Sequence, residues 1–447
     1  MLEKQKGNHN INKLRRLNIF EADYNATLKY FWPHNANKND GNNINMGDLQ
    51  YGGRKGRRAN DPAIINEFIL DFHRMSHTPI TIVQQDLTAC FDRTVQNISN
   101  ICNRRMAVPK QVCNLIAQTK EQTKYHITTA QGTSKKSYKS SKTNPIHGSA
   151  QGSGNARTEW NNISIPILKT YDDNVEGCQI IGPTKQKWRK SIISFVDDTR
   201  NYNNMNNIMA SLAENIAHDS NIWKHLLSFT GGAQNLNKCV AYIIEWYYSK
   251  QYTLQMINDN DTTIPTISDD QNITRYNNDT PFKYLGINTS PNGDQIHPIT
   301  TIQKICATFA NSLFKASINE RDAEIALRYK LIPKIQYQII AYSINAKQYH
   351  KIQQIYESDT IAKMGYNRHW PYELRYDTLH SGLALPQLHL EQLIQHTIAI
   401  YNLYNNVETN ILLINSLQLF QLQIGLSGNI YKQPRITEYG NSVWIRQ

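Results

Sequence analysis

Apolar residues recur along the chain with two different periods. After Asp61-Pro62, the residues Ile64, Ile65, Phe68, Ile69 and Phe72 fall at helical spacing. Asn60 or Asp61 can cap this segment, and Pro62 suits a first turn, so the pattern predicts an amphipathic helix. The next run, Pro79 to Gln85, is rich in β-branched residues and predicts a buried strand ending at Asp86. Ser191 to Phe195 predicts a second strand, running into Val196-Asp197-Asp198-Thr199, where paired acids suit a tight hairpin turn. Between the two strands, Gly148, Gly152 and Gly154 predict a loop whose backbone can approach a ligand closely. Thr158 to Lys169 reads as helical until Pro166 perturbs it. Residues 206–229 predict a long helix with Ile208, Leu212, Ile216, Leu226 and Leu227 mostly on one side, stopped by Gly231-Gly232. Beyond about residue 300 the pattern is largely helical, clearest over 302–314, 323–344 and 390–404. Residues 34–48 and 257–280 are polar and without period, and read as exposed loops at boundaries between ordered blocks. No repeat of fixed length is present.

The length of 447 residues predicts two to four lobes with room for buried cores. A 40% hydrophobic and 19% charged composition is that of a globular protein and excludes a disordered or fibrous chain. Lysine and arginine number 48 against 36 acids, a net charge of +12 that suits a polyanionic partner, nucleic acid or an acidic membrane surface. No run approaches the roughly 18 apolar residues of a membrane span, and residues 1–16 lack the apolar centre of a signal peptide, so the expectation is a soluble intracellular protein. Cys90, Cys102, Cys113, Cys178, Cys239 and Cys306 are scattered without zinc-site spacing and read as reduced core thiols.

Two carboxylates at the ends of adjacent strands could hold a pair of divalent cations about 3.5–4 Å apart, one activating an attacking hydroxyl and one steadying a leaving oxygen. Hard oxygen ligands select magnesium or manganese. Taken singly, Asp86 also fits a helix cap and Asp197-Asp198 a plain turn. Arg54, Lys55, Arg57 and Arg58 place four cations just ahead of the first helix, where they could meet a triphosphate or a template backbone. Lys135, Lys136, Lys139 and Lys142, interleaved with serines and Tyr138, form either a second strand-binding surface or a solvated loop.

Read in order, the chain presents QYGGRKGRRAND (50–61), DLTACFDR (86–93), HGSAQGSGNARTEW (147–160), SFVDDT (194–199), TGGAQNLNKC (230–239) and KYLGI (283–287). This succession resembles the reverse transcriptases, most closely those of non-LTR, LINE-type retroelements, over residues 50–290. HSGLALPQLHL (380–390) is similar to a segment beyond the polymerase core of the same elements. The chain departs from that pattern at Gly154, Ala156 and Arg157, where the family follows its Q-G with proline and S-P. No arginine-proline-isoleucine segment stands in residues 1–49, and neither an endonuclease nor an RNase H segment is visible.

The resemblance implies an α+β right-hand polymerase: a divergent or shortened fingers segment over 1–49, fingers and an antiparallel-sheet palm over 50–290, and a helical thumb over 291–447. It implies RNA-directed DNA synthesis with two Mg2+ or Mn2+ ions, an RNA template, a DNA primer and dNTPs. Asp86 and Asp197 would be metal ligands and Asp198 the supporting acid. Phe91, five positions after Asp86, would crowd a ribose 2′-hydroxyl; as a plain residue it is equally an ordinary core aromatic. Gln151 and Gly152 would position template and nucleotide, Lys238 would stand behind the active site, and Tyr284-Leu285-Gly286 would grip the primer end. Two other readings stay open. One is an RNA-dependent RNA polymerase, against which Phe91 stands where that class carries a second acid. The other is a decayed or maturase-like RNA-binding protein that keeps the fold without catalysis.

Overall fold

A computed structural model describes residues 2–3, 14–15, 19–30, 47–88, 90–129, 132–141, 143, 145–149, 152–204, 211–258, 263–265, 272–428, 430–432 and 442–444. Six strands form the central sheet: β1 (Ile80–Gln85), β2 (Ile192–Phe195), β3 (Asp198–Asn203), β4 (Val240–Ile244), β5 (Thr263–Pro265) and β6 (Asn272–Arg275). Their spatial order is β5-β6-β4-β1-β3-β2. β1 is central and buried along its whole length, as its continuous β-branched run requires. Its residues alternate between two cores. Ile80 and Ile82 face a large cluster with Phe68, Ile69, Tyr202 and Tyr242, and Val83 faces a smaller one with Leu212, Ile216, Ala241 and Ile273. The period of two along the strand thus assigns one helical layer to each face.

The first layer is helix α1 (Asn60–Ser76), which ends where His77 adopts a left-handed φ of 54°. Helix α2 (Ala156–Asn174) continues through Pro166, where a perturbation was expected. Ile163, Ile165, Leu168 and Tyr171 are buried on either side of the proline. Their burial outweighs the roughly 3 kcal/mol that an interior proline costs. Helix α3 (Leu212–Phe229) starts at a capping box in which Ser211 Oγ accepts from Glu214 N and the Glu214 side chain accepts from Ser211 N. The expected start of this helix at 206 lies outside the described residues.

The sheet is mixed, where an antiparallel palm was expected. β1, β2, β3 and β4 pair antiparallel, but β6 lies parallel to β4. A parallel neighbour needs a long return connection, and the chain between β4 and β6 supplies one. The stretch read as a loop over 257–280 overlaps that connection and contributes β5 and β6. Ile273, fully buried against Ala241 and Ile243, is the apolar anchor that its polar neighbours masked. The other expected loop, 34–48, lies outside the described residues except for its last two positions.

From Ile296 onward the regular elements among the described residues are all helices, including α4 (Ile296–Lys315), α5 (Leu388–Asn405) and α6 (Val407–Gln423). The segment read as one helix over 323–344 is instead helical over Glu320–Ala326 and Ile332–Ile339, joined by a π-turn over Leu327–Leu331 just before Pro333. α6 packs on α1. Among the polar ties that fasten the C-terminal region to the preceding elements, two involve buried charged groups. The buried Lys190 ammonium pairs with Glu408, and the fully buried Asp71 accepts hydrogen bonds from Val443 N at 2.8 Å and Trp444 N at 3.3 Å. Trp444 in turn stacks on His396 with ring centroids 4.3 Å apart. Leu383, Leu385 and Leu388 of the 380–390 segment are buried in the same core. The six cysteines are free, five of them buried, and among the described residues no helix is long and apolar enough to cross a membrane.

Candidate active site

Sheet register places the acids. Gln85 of β1 pairs with Thr199 of β3, so Asp86, one residue on, comes opposite Asp198, one residue back. β2 and β3 form a hairpin in which Phe195 pairs with Asp198, which leaves Val196-Asp197 as a two-residue turn. All three carboxylates therefore gather at one end of the sheet. Asp198 registers the crowding: burial first, then the Asp197 and Asp86 charges, raise its carboxyl from 3.8 to about 6. Burial, with the Asp197 charge beside it, likewise pushes the Cys90 thiol well above its ordinary value. Lys238 Nζ stands 3.4 Å from Asp86 Oδ2, and its side chain is 66% exposed.

The turn rests on a polar seat. Val196 has a φ of 61°, a left-handed conformation that a β-branched residue adopts at a cost of about 1–3 kcal/mol. Gln50, 1% exposed, holds both of its backbone groups. Gln50 Oε1 accepts from Val196 N at 2.8 Å and from Gly52 N at 2.9 Å, and Gln50 Nε2 donates to Val196 O at 3.2 Å. Nε2 also reaches Ser194 Oγ and Ser164 Oγ, while Trp160 Nε1 donates to Val196 O at 2.7 Å. Gly52 is pressed against the turn so closely that a Cβ there would lie 2.4 Å from Val196 N. Gln50 was legible only as the first letter of a motif. The single local signal for its role is the Gly-Gly two residues later, which permits the close approach.

The acids open into a cleft of about 490 Å³ lined by Phe195, Val196, Asp197, Asp198, Lys283, Leu285, Gly286, Tyr337 and Ala59. The structure thus brings the Leu285-Gly286 turn to face Asp197 and Asp198. The turn joins Phe282–Tyr284 to Ile287–Thr289, with φ of 49° and 86° at its two central residues, and Tyr337 Oη donates to Leu285 O. Tyr284, expected in the primer grip, departs from that role. It is 2% exposed, and its ring lies beneath the Arg200 guanidinium, 4.1 Å away. Arg200 is itself buried, donating to Gln84 Oε1 at 2.9 Å and Asn66 Oδ1 at 2.7 Å. Two residues beyond Asp198 on the same strand, it lowers the carboxyl that its acidic neighbours raise. Tyr284 therefore supports a buried cation beneath the acids.

The basic run divides. Arg54 donates to the backbone carbonyls of Gly47 and Gln50, and Arg57 pairs with Asp48 and lies 5.0 Å over the Tyr51 ring. These two are tied into the loop framework, where phosphate contact was expected of all four. Lys55 and Arg58 are exposed, and Arg58 meets Asp61 at 3.4 Å. Phe91 is half-buried, with its ring 6.1 Å from Trp160, and so it packs on the same tryptophan that holds Val196. Gln151 lies outside the described residues. Its neighbour Gly152 accepts from Asn25 Nδ2 at 3.3 Å. The loop before it is fastened to the Asp86 segment by Ser149 N donating to Phe91 O at 2.7 Å and Gly148 N to Thr94 O at 2.8 Å.

Among the described residues no group of three or more His, Cys, Asp or Glu side chains is set to hold a metal ion. Magnesium is ordinarily held by one or two carboxylates with substrate phosphates completing the shell. The donor chemistry of Asp86 and Asp197, with the mutual repulsion felt at Asp198, fits that arrangement.

No family model matches the chain, and no curated protein matches it. Among solved structures, it is similar to telomerase from Candida albicans in complex with a fragment of telomeric RNA, at 10% identity and a TM-score of 0.42, over 93% of this chain and 56% of that one. It is also similar to apo telomerase from Candida tropicalis, at 12% identity and a TM-score of 0.30, over 88% and 60% of the two chains. A C-terminally truncated form of the latter matches at 11% identity and a TM-score of 0.34, over 52% and 45%. The chain spans a little over half the length of the first of these.

Proposed function

We infer that the chain is an RNA-directed DNA polymerase of the reverse-transcriptase kind, from a LINE-type retroelement. Residues 50–290 serve as fingers and palm, and the helices after 291 as thumb. The observation that carries the reading is the pairing of Gln85 with Thr199. Through it, two acidic motifs more than a hundred residues apart meet at one end of a sheet, in the order that reverse transcriptases use. Asp86 and Asp197 would hold two Mg2+ or Mn2+ ions. When bound, these activate the primer 3′-hydroxyl and neutralise charge at the phosphate under attack. The chain's own residues supply position and field. Asp198 tunes the local charge, Lys238 balances Asp86, and Arg200 beneath the acids limits their repulsion. The Leu285-Gly286 turn closes the opposite wall, where a primer end would lie. The bond formed joins the primer 3′-oxygen to the α-phosphate of a dNTP, and pyrophosphate leaves.

The test is primer extension on an RNA template with wild type and Asp197→Asn. Turnover should fall by orders of magnitude in the variant, because the lost carboxylate acts chiefly in the transition state. Equal activity in both proteins refutes the assignment. Activity in neither supports the decayed form of the fold, and a preference for rNTPs in wild type supports an RNA polymerase.

A further inference from the structure

Between the Asp86 segment and the Gly148–Gly152 loop, residues 122–158 contain no aspartate or glutamate, although the chain carries 36 acids over 447 residues. The stretch holds Lys124, Lys135, Lys136, Lys139, Lys142 and Arg157. Its centre folds as a projecting two-stranded ribbon in which Thr128 pairs with Thr133 and Thr129 with Gly132. At the base, Tyr125 and Tyr138 exchange backbone hydrogen bonds of 2.8 and 2.9 Å. Their rings stack with centroids 5.4 Å apart at 23°. Ser134 N donates to Ile127 O at 2.8 Å, and Ser134 Oγ accepts from Ile127 N at 3.0 Å. Lys124, Lys135, Lys136 and Lys139 are exposed, whereas the nearby Lys120 is bound to Glu159 at 2.9 Å.

This ribbon contributes almost nothing to the core: its strands are exposed, Ile127 is 45% exposed and Tyr138 47%. Yet a dense set of hydrogen bonds orders it. A hydrogen-bonded arm that carries one sign of charge and a half-exposed aromatic ring matches single-stranded nucleic acid, whose phosphates meet lysines while a base stacks on the ring. Its position is suited to this. Tyr125 at the ribbon's base and Gly148 and Ser149 of the loop beside the Asp86 segment line one small crevice of about 10 Å³, so the ribbon stands next to that loop.

We propose that the 124–139 ribbon binds the single-stranded RNA template before it enters the catalytic cleft, with Lys135, Lys136 and Lys139 on phosphates and the half-exposed ring of Tyr138 on a base. The proposal rests on the template reading above, but binding is measured without dNTP or metal. Failure of polymerisation and failure of this surface are therefore separable.

The experiment measures fluorescence-anisotropy affinity of the full chain for a single-stranded RNA over a range of salt. Wild type is compared with a Lys135→Gln, Lys136→Gln, Lys139→Gln triple variant and with Tyr138→Ala. Removing three phosphate contacts should flatten the logarithmic salt slope by about two units, and losing one stacked base should weaken binding at least about fivefold. Unchanged thermal melts confirm that the exposed substitutions leave the fold intact; if the triple variant melts early, Lys135→Gln and Lys139→Gln singly carry the slope measurement. An unchanged slope overturns the proposal. So does equal loss on duplex DNA with no effect of Tyr138, which marks a general polyanion surface, and so does tighter capture of polyglutamate than of RNA, which marks an acidic protein partner.

Discussion

Replacing Gln50 with leucine removes the seat of the Val196-Asp197 turn while keeping the volume close to that of the amide. Two N–H groups, of Val196 and Gly52, lose their acceptor in a place the solvent does not reach. Each buried orphan costs about 1–3 kcal/mol, so the seat stabilises this conformation by about 2–6 kcal/mol in all. That exceeds the roughly 1–3 kcal/mol by which the left-handed Val196 is strained, which is why the turn holds its shape with Gln50 present and should relax without it. Val196 O keeps the Trp160 bond, so the hairpin itself stays paired while its tip, and Asp197 with it, shifts. A displacement of about 1 Å at a reacting centre costs on the order of a hundredfold in rate. Gln50→Leu should therefore lower primer-extension kcat by about that factor, and amide exchange over 195–200 should quicken. Gln50→Glu, which can still accept from both N–H groups but cannot donate to Val196 O, should fall between wild type and Gln50→Leu. A Gln50→Leu protein that melts like wild type, protects the Val196 amide equally and turns over within a few fold of wild type refutes the reasoning.

Asp198 sets a pH dependence. Its folded value of about 6 lies above the ordinary 3.8, so the native state binds this proton more tightly than the unfolded chain does. Stability from this group is greatest below about pH 4 and declines as pH rises through 6. Asp198→Asn should remove that decline and raise the melting temperature near pH 7.5, by an amount worth about 2–3 kcal/mol; identical pH slopes in the two proteins argue against the crowding of acids. Phe91→Val should lower the dNTP-over-rNTP ratio of kcat/KM by more than about tenfold if the ring also borders the sugar; an unchanged ratio in a stably folded variant leaves Phe91 as packing against Trp160. Lys190→Met removes the ammonium that offsets the burial of Glu408, whose carboxyl already stands at about 7. The carboxyl then takes up a proton near neutral pH, and the lost charge-assisted bond costs about 1.5–3 kcal/mol. A calorimetric melt should detect it, and an unchanged melt refutes the tie between α6 and the sheet layer.

The elements that were legible in the sequence are those with a strong local period. α1, β1 and the β2–β3 hairpin were read close to their observed bounds because Ile64 to Phe72 and Ile80 to Val83 state their burial in their own spacing. β5 and β6 were missed because one buried residue, Ile273, anchors an otherwise polar stretch, and a strand whose neighbour is parallel and distant declares itself only through that neighbour. Polar residues were read less well, for a related reason: their roles depend on partners that the sequence does not bring near. Arg57 looked free for phosphate until Asp48 and Tyr51 took it up. Tyr284 looked like part of a grip until Arg200, more than eighty residues away, was found lying on it. Gln50 carried no role until its amide met Val196 across the sheet edge.

These corrections share one physical cause. The hairpin tips on the two walls of the cleft, Val196-Asp197 and Leu285-Gly286, each hold one non-glycine residue, Val196 and Leu285, in a left-handed conformation that costs energy. Each is stationed by polar groups packed in or beneath it, Gln50 and Trp160 under the first, Tyr337 and the Tyr284–Arg200 stack under the second. Side chains buried in that layer lose their whole interaction when truncated, whereas the exposed cations of the 54–58 loop lose a screened one. Substitutions at Gln50 should therefore lower turnover more than substitutions at Lys55 or Arg58, although only the latter announce themselves by charge.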